Sequence, residues 1–171
     1  ADAPKPDDPR FARNEGHVIA SAAVSLDAAS TDDMRQGIEA VILSDAIEGE
    51  AREVGGVHAA VAREVARRDR PFRKPVVILS GGETTVTIRG KGKGGRNSEF
   101  LLAFALGIDG AEGIHALAAD TDGIDGSEDN AGAFCDGTTV ARLREKGRDA
   151  RAYLADNDAW SAFNAISDLF V

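Results

Sequence analysis

At 171 residues the chain is long enough for one domain with a core of its own and too short for two large ones. Hydrophobic residues make up 43% and charged residues 29%, ordinary values for a globular protein. The formal net charge of −9 speaks against general binding to nucleic acid or anionic membranes, which need a basic face, and aromatic residues, at 5%, are too few for base-stacking platforms.

The opening "ADAPKPDDPRF" is rich in Pro and Asp and has no apolar signal core, so residues 1–13 read as an extended lead-in and the cytoplasm as the expected compartment. "HVIASAAVSLDAASTDDMRQG" starts as a short strand at about 17–21 and becomes an alanine-rich helix that stops near Gly37. In "AVILSDAIEGEAREVGGVHAAVAREVARRDR" a buried-type strand at Val41, Ile42 and Leu43 leads through a loop to a helix from about Glu50 to Arg68. Val54, Val57, Val61 and Val65 recur there at three- and four-residue spacing, which predicts an apolar face. "PVVILSGG" is a strand of continuous apolar character, and "TTVTIR" follows it as a β-branched strand. The two glycines between them suffice for a tight turn, which predicts an antiparallel hairpin over about 75–89.

The glycine loop 90–95 feeds a helix, "NSEFLLAFALGI", and "IHALAAD" follows as a strand leading into an acidic glycine loop. The single cysteine, Cys135 in "AGAFCDG", excludes an internal disulfide and a cysteine-based zinc site, and reads as a small buried thiol. A helix around "TTVARLREKG" follows, then "ARAYLA", a last helix "DNDAWSAFNAIS", and "SDLFV" as a terminal strand that suggests a chain cut from something longer. No stretch approaches the roughly 18 apolar residues of a membrane span, and no period of about 20–50 residues repeats. Strands alternating with helices predict an α/β fold: one layered α/β/α domain over 14–171, with a mostly parallel sheet and the one antiparallel hairpin.

In such folds sites gather at the carboxyl ends of strands, and three of those ends carry polar loops here: "SGGE", "RGKGKGGRN" and "DTDGIDGSEDN". Gly90, Gly92 and Gly95 satisfy G-x-G-x-x-G, but the acid that should close the next strand and hold a ribose is missing; the nearest, Asp109, lies in a turn before that strand. As a Walker A loop the stretch fails, because Arg96 and Asn97 stand where Lys and Ser or Thr belong. What remains is a flexible backbone whose N–H groups can approach an anion, followed by a helix N-terminus of positive potential. Arg96 at that helix start opposes the macrodipole by roughly 0.3–1 kcal/mol, a conflict that an anionic ligand removes. Lys91 and Lys93 read equally as ligand contacts or solvated charges.

The acidic loop fails as an EF-hand, since Ile124, Asp125 and Ala131 fall at the positions that need Asp or Asn, Gly and Glu. A strand-end acid before a flexible loop does suit Mg²⁺–phosphate chemistry, which makes Asp120 and Asp122 candidate metal ligands. Asp125, Glu128 and Asp129 read as turn formers and a helix-start charge. Glu83, closing a buried strand, needs a partner, and Arg96 is the one at hand, either as a structural ion pair or in a catalytic pair. His17, His58 and His115 have no partner at metal spacing and read as structural.

Taken in order, "SGGETTVTIRGKGKGGRNSEF", "AADTDGIDGSEDNAGAF" and "YLADNDAW", together with the upstream "AVILSDAIEGEAREVG", resemble the glycerate 2-kinase family, whose C-terminal part is the MOFRL domain and whose members are often labelled hydroxypyruvate reductase. The resemblance covers the chain from about residue 14. It implies ATP- and Mg²⁺-dependent phosphorylation of the 2-hydroxyl of glycerate, in a cleft between two α/β domains. It also implies Arg96 as the phosphate-stabilising catalytic arginine and Glu83 and Asp122 as site carboxylates. Gly81, Gly82, Thr84, Lys91, Gly94, Gly95, Asn97 and Asn157 follow as expected contacts to substrate or nucleotide. The family's N-terminal domain, which supplies a catalytic lysine, is the expected partner; a homodimer is compatible, and the chain alone is expected to be inactive. The rival readings are an NAD(P)H-dependent hydroxypyruvate reductase, for which the ribose acid and a His–acid pair are lacking, and a non-catalytic module that binds a phosphorylated ligand or a partner domain.

Overall fold

The computed structural model describes residues 5, 8–13 and 21–171. The strand expected at about 17–21 falls almost wholly outside them, as do His17 and the expected domain start at residue 14; Ser21 is described, and its hydroxyl caps the first helix by accepting the Val24 N–H at 3.3 Å. That helix, α1, runs Ala22–Arg35. It is followed by β1 (Glu39–Ile42), β2 (Ile47–Glu50), α2 (Ala51–Arg68), β3 (Val76–Leu79) and β4 (Gly82–Thr85). Then come α3 (Arg96–Gly107), β5 (His115–Ala119), β6 (Gly132–Asp136), α4 (Thr139–Glu145), α5 (Ala150–Ala155), α6 (Ala159–Ile166) and β7 (Leu169–Phe170).

The fold is mixed α/β, with parallel pairing in its first half and an antiparallel three-stranded sheet in its second. The hairpin expected over 75–89 is not formed. β3 instead pairs in parallel with β1, and β4 in parallel with β2. The register moves from Ile42↔Leu79 to Ile47↔Gly82, so the first chain carries two more residues than the second and bulges around Ser44. Hydrogen bonds from Gly81 N–H to Ser44 O (2.8 Å) and from Ile47 N–H to Gly81 O (3.0 Å) carry the pairing across the bend. The glycine pair serves this close passage rather than a turn: Gly82 has a φ of +148°, and a Cβ there would overlap the Ile47 backbone. The strand expected through "TTVTIR" ends at Thr85.

β5, β6 and β7 form the antiparallel sheet, with His115 opposite Asp136 and Gly132 opposite Phe170. The acidic segment between β5 and β6 is a loop rather than a crossover helix, so the chain returns antiparallel. Cys135 is buried on β6, and burial first, then the nearby Asp136 and Asp168, pushes its thiol far above the usual range. It is an inert core thiol.

The core lies where α3 packs between α2 and the antiparallel sheet. Leu101, Leu102, Phe104 and Ala105 of α3 meet Ala59, Ala133, Cys135, Leu143 and Phe163. The buried positions of α2 are Ala51, Gly55, Ala59 and Val65; of the expected valine face Val65 is buried, Val54 and Val61 are half-buried and only Val57 is exposed, at 63%. Small residues are required because the two helices approach to backbone contact. A Cβ at Gly55 would overlap the carbonyl oxygen of Phe100, and one at Gly107 would crowd Ala59. Gly56, one residue on, faces open space.

Thermal and chemical denaturation of two single variants tests this packing. Gly55→Ala is expected to destabilise the fold by about 1–3 kcal/mol through overpacking, whereas Gly56→Ala is expected to stabilise it by about 0.5–1 kcal/mol through helix propensity. Equal effects would contradict the close α2–α3 contact.

Candidate functional site

Three chain segments that are distant in sequence converge at one point. The start of β4 brings Glu83, the first residue of α3 is Arg96, and the end of β5 delivers Asp120. Arg96 donates through one terminal nitrogen to Glu83 Oε1 at 2.7 Å and through the other to Asp120 Oδ2 at 3.0 Å. The Arg96 side chain is 40% exposed, Asp120 only 18% and Glu83 80%, so the Asp120 contact is the sheltered half of the pair. The hydrogen bond to Asp120, and after it the bond to Glu83, raises the guanidinium above its already high pKa against the cost of desolvation. It is a permanent cation.

This triad sits on the wall of a cleft of about 900 Å³. Of the residues expected to form a site, Gly81, Gly82, Glu83, Thr84, Arg96, Asn97 and Asp120 line that cleft, and Lys91, Gly94, Gly95, Asp122 and Asn157 do not. His58, read as structural from the sequence, also lines it. Its Nδ1 lies 2.9 Å from Val54 O and its Nε2 3.2 Å from Ser80 Oγ. A carbonyl only accepts, so Nδ1 carries a proton, and in the neutral ring Nε2 accepts the Ser80 hydroxyl hydrogen. Phe100 packs edge-on against the ring at 5.1 Å. No spacing signal in the sequence joins His58 to Ser80; the fold alone brings them together.

The glycine loop proves to be occupied by the protein itself. Arg89 and Gly90 both donate their N–H to Asn157 Oδ1, at 2.7 and 3.0 Å. Lys91 N–H goes to Asp156 Oδ1 (3.1 Å), Gly92 N–H to Asp156 O (2.9 Å) and Lys93 N–H to Asp158 Oδ1 (2.9 Å). Gly95 N–H is taken by Ser98 Oγ at 2.9 Å. The turn before α6 thus supplies the acceptors that the sequence reading assigns to a bound anion. The glycines are needed because a Cβ at Gly90 or Gly92 would overlap Asp156 or Asp158. Asn157 holds a left-handed φ of 54° and is buried. It also donates to Thr87 O (3.3 Å) and to Glu99 Oε2 (2.7 Å).

Glu99, on the first turn of α3, is buried and completes its hydrogen bonding through Arg52 of α2 at 2.7 Å. Arg52 reaches on to Leu154 O at 3.1 Å. Lys93 extends to Glu128 at 3.1 Å and lies 5.2 Å from the centre of the Trp160 ring. Asp122, at the tip of the acidic loop, is exposed and accepts the Ile124 N–H at 3.0 Å, closing a local turn.

The N-terminus of α3 is likewise filled from within. Asp125, 1% exposed, accepts the Asn97 N–H at 2.9 Å and the Ser98 N–H at 2.8 Å. Together with the pairing to Asp120 and Glu83, this removes the conflict between Arg96 and the helix dipole without any ligand. Among the described residues no group of three His, Cys, Asp or Glu side chains is close enough to hold a metal by itself. The carboxylates nearest the cleft are Asp120 and Glu83. None of the described helices is long and apolar enough to cross a membrane.

Comparison with known proteins gives a consistent result. The model of the MOFRL family matches residues 76–171. A protein of Agrobacterium vitis, whose name of hydroxypyruvate reductase is given provisionally, is 51% identical over 90% of this chain and 40% of its own length. The glycerate 2-kinase of Pyrococcus horikoshii is 42% identical over 89% of this chain and 34% of its own. The crystal structure of glycerate kinase from Thermotoga maritima superimposes with a TM-score of 0.89 at 38% identity, covering 92% of this chain and 38% of that one. The chain therefore spans roughly two fifths or less of the length of these relatives.

The enclosed loop makes a direct prediction about trypsin, which cuts after Arg89, Lys91 and Lys93. Asn157→Ala removes hydrogen bonds worth about 1 kcal/mol each, so cleavage within 89–93 is expected to accelerate roughly tenfold or more. An unchanged rate, followed by mass spectrometry of the fragments, would mean that Asn157 does not hold the loop.

Proposed function

The chain belongs to the MOFRL family, and from that premise we propose that it is the C-terminal part of a glycerate 2-kinase, which transfers a phosphoryl group from ATP to the 2-hydroxyl of glycerate in a cleft completed by the rest of the protein. The observation that carries the reading is Arg96: a permanent cation at the cleft wall, fixed by carboxylates from two different strand ends. Phosphoryl transfer asks the protein mainly for positioning and for charge stabilisation, and an arginine held in this way supplies both.

A guanidinium has five N–H donors, and the two carboxylates take one each here. Arg96 can therefore donate to phosphoryl oxygens while Asp120 continues to hold it. Glu83, being largely exposed, is the partner that yields. Because most of the loop and helix N–H groups are already engaged, phosphate is met by a side chain, that of Arg96, rather than by an amide cradle. With the His58 ring neutral, Ser80 gives its hydrogen to it and presents oxygen lone pairs to the cleft, suited to a substrate hydroxyl. Thr84 and Asn97 add further polar groups for a small hydroxy acid.

The donor set fits Mg²⁺, a hard cation that takes one or two carboxylates and completes its shell with phosphate oxygens and water. Asp120 and Glu83 would hold it, whereas Asp122, engaged in its turn, is the less apt of the two expected aspartates. When bound, the ion neutralises phosphate charge. A dinucleotide-dependent reductase fits less well, since the glycine fingerprint works by bringing backbone to pyrophosphate and that approach is filled by Asp156, Asn157 and Asp158.

The test is glycerate-dependent ADP release from Mg-ATP by the full-length protein. Arg96→Ala is expected to lower kcat by about 10²-fold or more, the usual cost of losing a transition-state charge donor. The 171-residue chain by itself is expected to stay at background. Absence of glycerate-dependent ADP from the full-length wild type, with NADH consumed on hydroxypyruvate instead, would replace this reading with the reductase.

A further inference from the structure

We infer that Asp125 is a positioning residue for Arg96: the loop between β5 and β6 grips the arginine at two points, its guanidinium through Asp120 and the peptide N–H groups that follow it through Asp125. The inference rests on the kinase reading for its catalytic consequence, and on geometry alone for the grip itself.

A helix leaves its first N–H groups without intrahelical partners, and the usual remedy is a Ser, Thr, Asp or Asn at the N-cap. α3 has Gly95 there and so no side-chain cap of its own. Ser98 Oγ turns back to the Gly95 N–H, which leaves the donors of Asn97 and Ser98 to be met from elsewhere. Asp125 meets both, and its Oδ1 also lies 3.4 Å from the Asn97 side-chain amide.

The arrangement excludes a local cap. A Cβ at Gly95 would overlap Asp125, and a Cβ at Gly126, whose φ is +84°, would overlap Gly94 O. Glycine is therefore required on both sides of the contact, and the helix gives up its ordinary cap to receive the distant carboxylate. A demand for helix stability alone is met by Ser or Asp at position 95. What the remote cap adds is a fixed relation between the acidic loop and the first residue of α3.

The loop is closed so that this relation is rigid. Asp120 N–H bonds Ala131 O and Asp125 N–H bonds Asn130 O, both at 2.7 Å, while the buried Asn130 donates its side-chain amide to Gly132 O at 3.0 Å. Asp120 and Asp125 thus belong to one tied unit, and Arg96 is held at both its head and its root. Displacing the root moves the guanidinium relative to Asp120 and to anything bound in the cleft, and small displacements of a catalytic group carry large rate penalties.

The experiment uses the full-length protein with Asp125→Asn and Asp125→Ser, and with Asp129→Asn, an exposed acid of the same loop, as the control. The readouts are kcat and KM for Mg-ATP and glycerate at a temperature well below each variant's Tm, the Tm itself, and a crystal structure of whichever Asp125 variant folds. The expected result is a kcat lowered about tenfold or more with KM for Mg-ATP changed less than about threefold, and loss of the Arg96–Asp120 contact. Asp129→Asn is expected to stay within about twofold of wild type. A lowered Tm with unchanged kcat, or an Arg96–Asp120 contact retained in the variant structure, overturns the inference and leaves Asp125 as a helix cap only. A wild type without glycerate-dependent turnover defeats the kinase reading instead, and the variant structure still decides the grip.

Discussion

Glu99 is a carboxylate taken out of water, and removing one partner from such a group costs about 3–5 kcal/mol. Both its oxygens are answered, one by Arg52 of α2 and the other by the amide of Asn157. These two bonds join the parallel ladders to the helical end of the molecule, because Arg52 also reaches Leu154 and Asn157 also carries the backbone of the glycine loop. The order of the loop, the start of α3 and hence the place of Arg96 all descend from a charge that must be matched. In a molecule with so few aromatic anchors, polar matching of this kind takes over part of the task that bulky side chains perform elsewhere.

The same logic explains why an acidic chain concentrates positive charge on its glycine-rich segment. The basic side chains of 89–96 are the minor part of the arrangement. Its major part is the set of backbone donors, which face Asp156, Asn157 and Asp158. Lys93 and Arg96 then find acids of their own in Glu128, Glu83 and Asp120. Of these two cations, Arg96 is the one that stands beside a cleft roomy enough to admit a ligand.

Helices α2 and α3 were legible in the sequence because a 3.6-residue pattern is a local property, and β5 because its apolar run is bounded by turn residues. The Arg96–Glu83 pair was legible from chemistry, since each residue sat where it needed a partner. The glycine pair at 81 and 82 misled, because a tight turn and a close parallel crossing place the same demand on a residue without a Cβ. β6 was hidden in "GAFCD", too short and too small in its side chains to stand out, and α5 in "ARAYLA". The valines of α2 mark part of its inner side, ending on the buried Val65, but Ala51, Gly55 and Ala59 complete it, as helix contact at backbone distance requires. The structural partners of Asp125 and Asn157 are not legible in the sequence, because they lie 27 and more residues away and no spacing rule reaches that far.

Gly90, Gly92, Gly95 and Gly126 each stand where an added Cβ would overlap neighbouring main chain. Every missense change in a glycine codon adds at least that one atom, so drift has no mild alternative to offer at these four positions. The residues opposite, Asp156, Asp158, Asp125 and Gly94, cannot answer by shrinking, since it is largely their backbone that fills the space. Compensating pairs of changes are therefore not expected between these segments. Among diverging sequences the contact should be visible as shared invariance rather than as correlated change, and methods that infer proximity from covariation would pass over a closely packed part of the molecule.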